Sequence, residues 1–91
     1  MNLNDLLLNA FEHMETVLNS LLLSSLVNTE YENLSQYKEG LGNWINRYLL
    51  CKGAPLTDAF EEMGIYDKDE IAFIILKQFY CYLKDKQEQK F

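Results

Sequence analysis

The sequence has little of what breaks or staples a chain: one proline, four glycines and two cysteines among 91 residues. So little glycine and proline excludes a collagen-like or low-complexity chain. Cys51 and Cys81 have no CxxC or His-spaced companion, which excludes the disulfide framework of small secreted domains and the common zinc spacings; free, reduced thiols are expected. There is one histidine, His13, between Glu12 and Met14, with no cysteine or serine beside it in a metal-binding or nucleophilic pattern. It reads as a helix-surface residue, and Cys51, far from it in sequence, lacks a base to activate it.

Positive charge is also scarce. Fourteen acids stand against eight Lys and Arg, for a formal charge of −6, and no Lys or Arg precedes Lys38. That balance opposes contact with nucleic acid or an anionic membrane surface. No basic segment precedes Leu6, and the longest apolar stretch, Ile71 to Leu83, is interrupted by Lys77 and Gln78 and is too short to span a bilayer. A cytoplasmic location is therefore expected, with neither nucleic acid nor membrane as a direct partner.

What the chain does have is apolar residues, 48% of the total, in helical phase. A chain of this size encloses one core, so a single domain over 1–91 is expected. Asn2 is placed to cap a first helix over 3–27, with Met1 and Leu6 spaced as a hydrophobic staple. Leu7, Phe11, Met14, Leu18 and Leu21 recur at steps of four and three and form its core stripe. Thr29 and Glu32 have capping-box spacing, which predicts a second helix over 30–51 folded back on the first as an αα-hairpin. Its apolar positions, Leu34, Tyr37, Leu41, Trp44, Ile45, Tyr48 and Leu49, keep phase through Gly40 and Gly42. Each glycine costs roughly 1 kcal/mol in a helix interior, so the phase predicts one rod and the glycines predict a kink.

Pro55 suits the first turn of a short helix over 55–63, and Gly64 the left-handed residue that ends it, with Ile65 placed to touch Phe60. Asp67 caps a last helix over 68–86, with Tyr66 placed to staple onto Ile71 and the tail from Lys86 to Phe91 expected to fray. The expected fold is thus all-α, with three long helices and one short one. A first helix of 25 residues would be roughly 37 Å long, whereas a compact chain of this length has a radius of gyration of about 12 Å, so the bundle should be elongated. The last helix is apolar nearly all round, which makes it either central or shared with a second chain. Sharing predicts a homodimer, with Leu8, Leu22, Leu26, Phe73, Leu76 and Tyr80 at its interface.

Motifs that carry chemistry fail one by one. Gly40 and Gly42 make a G-x-G fragment with no strand before it and no third glycine. The acids from Asp67 onward resemble a calcium loop, but an EF-hand needs glycine and glutamate where Ala72 and Gln78 stand. Leu56 to Leu76 echoes a helix-turn-helix, yet the turn that would meet phosphates carries Asp67, Asp69 and Glu70 against Lys68 alone. No metal, cofactor or catalytic role is expected of any residue. Trp44 with Arg47 and Tyr48 has hot-spot composition, although a core tryptophan is the ordinary case.

Asp58, Glu61, Glu62, Asp67, Asp69 and Glu70 place six carboxylates in one short window. Two helix starts fall in that window, where acids are favoured by the macrodipole, but the cluster is also a candidate contact for a basic partner surface. The function expected is a non-enzymatic protein-binding module: an adaptor, regulator or assembly chaperone. The alternative is an acidic inhibitor of the phage anti-defence or toxin-immunity kind that blocks a target's basic nucleic-acid-binding surface. Codon-driven usage rich in Asn, Lys, Leu and Tyr fits an AT-rich bacterial or phage genome.

Overall fold

Asn2 starts the first helix as its position demands: its Oδ1 accepts the backbone N–H of Asp5 at 2.9 Å, which satisfies one of the donors a helix start leaves open. The computed structural model describes residues 2–51 and 53–88, so Met1, the expected staple partner, lies outside the described residues. Helix α1 runs Leu3–Val17 and buries Leu7, Ala10, Phe11 and Met14. It does not continue to residue 27. Leu18 and Asn19 turn extended, and Asn19 Oδ1 takes the N–H of Leu21 at 2.6 Å, capping a separate helix α2 over Ser20–Val27. Asparagine in a helix interior competes for backbone hydrogen bonds, and here it ends one helix and starts the next. The break redirects the apolar stripe. Leu21 is 78% exposed, Leu18 is half-buried, and Leu26 takes the fully buried place.

Thr29 does not form the expected box with Glu32. Its Oγ1 donates to the carbonyl of Ser25 at 2.8 Å and meets Tyr37 Oη at 3.0 Å, and Tyr37 Oη also meets Ser25 Oγ at 2.8 Å. Tyr80 Oη donates to the Thr29 carbonyl at 2.7 Å. This small hydroxyl network ties the end of α2 to the next rod and to the last helix.

The second rod begins as a 3₁₀-helix over Tyr31–Tyr37, widens into a π-helix over Lys38–Gly42, and ends as α3 over Asn43–Leu49. It is continuous through both glycines, as the phase required, but its pitch changes twice. A 3₁₀ turn is overwound relative to an α turn and a π turn is underwound, so the two departures have opposite sign. They offset each other, which keeps Leu34, Leu41 and Ile45 all buried on one side.

Helix α4 runs Pro55–Glu62 with proline in its first turn. Gly64, at φ +88°, ends it: Gly64 N–H donates to the Glu61 carbonyl at 2.9 Å and Ile65 N–H to the Phe60 carbonyl at 3.0 Å, the paired bonds of a Schellman motif. Asp67 Oδ1 then accepts the N–H groups of Asp69 at 2.9 Å and Glu70 at 3.4 Å, and α5 runs Lys68–Glu88. The helix holds through Lys86 and Gln87, where fraying was expected, while Gln89, Lys90 and Phe91 lie outside the described residues. Tyr66 is 70% exposed, while Ile71 is fully buried.

Helix α5 is the central element. It packs against α1, α2, α3, α4 and both parts of the irregular rod, and it buries Ile71, Ala72, Ile75, Leu76, Phe79, Tyr80 and Leu83. Phe11 joins it to α1 through ring contacts with Phe79 at 5.6 Å and Tyr82 at 5.1 Å. Because α1 packs on α4 and α5, the expected hairpin of the first two rods is not the organising unit. Nor is the molecule elongated. Its extents are 37 × 27 × 23 Å and its radius of gyration is 12.9 Å, close to the compact value, because breaking the first rod shortened its longest element. All regular structure among the described residues is helical, so the fold is all-α.

Candidate functional site

A concavity lies where the π turn faces the first turns of α5. It has a volume of about 520 Å³ and is lined by Lys38, Glu39, Gly42, Asn43, Asp67, Asp69, Glu70 and Phe73. The local sequence builds each wall. On one side the π turn exposes Lys38 and Glu39, and Asn43 Nδ2 clamps it by donating to the Glu39 carbonyl at 2.6 Å. On the other, Asp67 caps α5, and Asp69 Oδ1 accepts from Asn46 Nδ2 at 2.9 Å, a bond that joins α3 to α5 across 23 residues of sequence. Phe73 is half-buried, with Lys38 Nζ 4.4 Å and Lys77 Nζ 4.9 Å from its ring centroid. Those separations fall within cation–π range, so the ring is engaged by two of the chain's own ammonium groups.

Three of the six acids singled out from the sequence, Asp67, Asp69 and Glu70, therefore meet in one cleft. Asp58, Glu61 and Glu62 sit on α4 and are not among the residues that line it. Glu39 belongs to the cleft and escaped sequence reading, since only folding brings the π turn beside α5. Two of these three acids also do structural work: Asp67 caps α5 and Asp69 holds Asn46. Glu70 is exposed.

The expected dimer residues divide sharply. Leu26 and Leu76 are fully buried and Tyr80 is 7% exposed, all three inside this chain's own core, so they offer no surface to a second copy. Helix α5 is enclosed by its own neighbours, and that cover removes most of the apolar surplus read from its sequence. Leu8 is 47% exposed, and Leu22 and Phe73 are half-buried. Trp44 is half-buried against the core and contacts the exposed ring of Tyr48 at 5.4 Å.

A second, shallower groove of about 310 Å³ runs between α1, α2 and α5. Lys86 Nζ on its rim lies 3.0 and 3.1 Å from the two carboxylate oxygens of Glu15. The hydrogen bond to Glu15, aided by burial, pushes the Tyr82 phenol above its ordinary 10.0, and the same carboxylate raises Lys86 above 10.5. The ion pair is substantially exposed, so it contributes little to stability.

Chemistry beyond binding finds few groups to use. His13 is exposed on α1, and Cys51 and Cys81 are exposed free thiols. Among the described residues, no three His, Cys, Asp or Glu side chains are grouped to hold a metal ion, and no helix is long and apolar enough to cross a membrane.

Fold and site together define a small all-α domain with a charged concavity between a π turn and a helix start. The chain belongs to the DUF6794 family, a domain of unknown function, whose profile matches residues 5–83. That span runs from the first turn of α1 to Leu83, the last buried core residue. No curated protein matches the chain, and no solved structure does.

Proposed function

We propose that this chain is a non-enzymatic protein-binding module, an adaptor, regulator or assembly chaperone of the cytoplasm, and that its partner presents a basic segment to the cleft between the π turn and α5. One observation carries the reading: four carboxylates, Glu39, Asp67, Asp69 and Glu70, line the same concavity as Phe73, which is large enough for several side chains. An arginine or lysine entering there meets opposite charge, and it reaches the Phe73 ring by displacing Lys38 or Lys77. Nucleic acid and anionic lipid are disfavoured by the same carboxylates and by the net charge of −6.

The more specific alternative is an acidic inhibitor, whose partner uses that basic segment to bind nucleic acid. The N-terminal third, which carries acids and no Lys or Arg, favours it. Self-association is a further part of the proposal, now confined to Leu8, Leu22 and Phe73. A homodimer seated on Phe73 would cover the cleft and compete with a partner there.

Affinity capture from the native host, with the wild-type chain beside a triple variant E39K/D69K/E70K, tests the reading. Asp67 is left in place because it caps α5, and circular dichroism checks that the variant folds. The partner captured by the wild type should be lost with the variant, and its complex should weaken steeply as salt rises. Capture that survives both charge reversal and high salt would overturn the cleft as the contact. Release of the partner by added nucleic acid would select the inhibitor alternative. Light scattering that shows a monomer at micromolar concentration would remove the dimer.

A further inference from the structure

We draw no further inference here: the strongest candidate, the groove between α1, α2 and α5 lined by Leu23, Val27 and Leu83, is an apolar face, and nothing in the structure shows what covers it.

Discussion

The two rods of the N-terminal half make opposite use of their weak points. The first contains no glycine or proline from Leu3 to Val27, yet it breaks at Leu18–Asn19. The second contains Gly40 and Gly42, yet it runs unbroken from Tyr31 to Leu49 by changing pitch. A glycine only loosens the backbone, and a buried stripe that continues on both sides can hold it in place. An asparagine offers the backbone a competing hydrogen bond, and Asn19 uses that bond to start a new helix. Side-chain competition at a helix interior thus outweighs conformational entropy, provided that tertiary packing rewards the new direction.

The largest effects that could break this comparison lie in the stripes. Ile45→Ala and Leu26→Ala remove fully buried side chains from the second and first rods, and each should cost about 2–5 kcal/mol in urea unfolding. Leu21→Ala should stay within about 0.5 kcal/mol, because Leu21 is 78% exposed. Were Leu21→Ala as costly as Leu26→Ala, the first rod would have to be a single helix.

The cap itself gives a test of sign. Asn19→Ala should destabilise by about 1 kcal/mol through loss of the bond to Leu21 N–H. In an unbroken helix the same change would stabilise, because alanine is the better helix former. Circular dichroism during thermal unfolding distinguishes the two outcomes.

Gly40→Ala sharpens the other side. An added Cβ there meets nothing within 4 Å, and the residue is not in the left-handed region. Stabilisation of about 0.5–1 kcal/mol should follow from lower entropy in the unfolded chain. Destabilisation would show that the π turn needs glycine for reasons other than space.

The smallest effect belongs to the contact between α1 and α5. Tyr82 and Lys86 both have folded values raised above 10.0 and 10.5, so their contribution is complete below about pH 10 and declines as pH rises through the raised values. Urea midpoints should therefore fall above pH 10, and Glu15→Gln should flatten that dependence. An unchanged profile in the variant would dissociate Glu15 from the alkaline loss.

Local signals were legible where one or two residues decide the backbone. Asn2, Pro55, Gly64 and Asp67 each mark a helix end that the structure realises. Thr29 departs from its capping-box spacing, because its hydroxyl is engaged by the Ser25 carbonyl and by Tyr37, eight residues away. Asn19 was in plain view, and its cap potential was overridden by the seven-residue phase that runs past it. In the site, the acids of α5 were visible, but Glu39, Asn46 and Lys38 were not, since sequence places them some 20 to 30 residues from the acids they face.

By itself the sequence determined an all-α chain, the caps at its helix ends and the apolar stripe that keeps Leu34, Leu41 and Ile45 in one core. Those properties depend on neighbours within a turn or two, which any one segment carries with it. Only the tertiary structure decided that α5 is the enclosed centre and that the π turn faces its acidic start. Helical phase says that a face must be covered but does not say by what, and enclosure by six other segments of the same chain answers that only once all are packed.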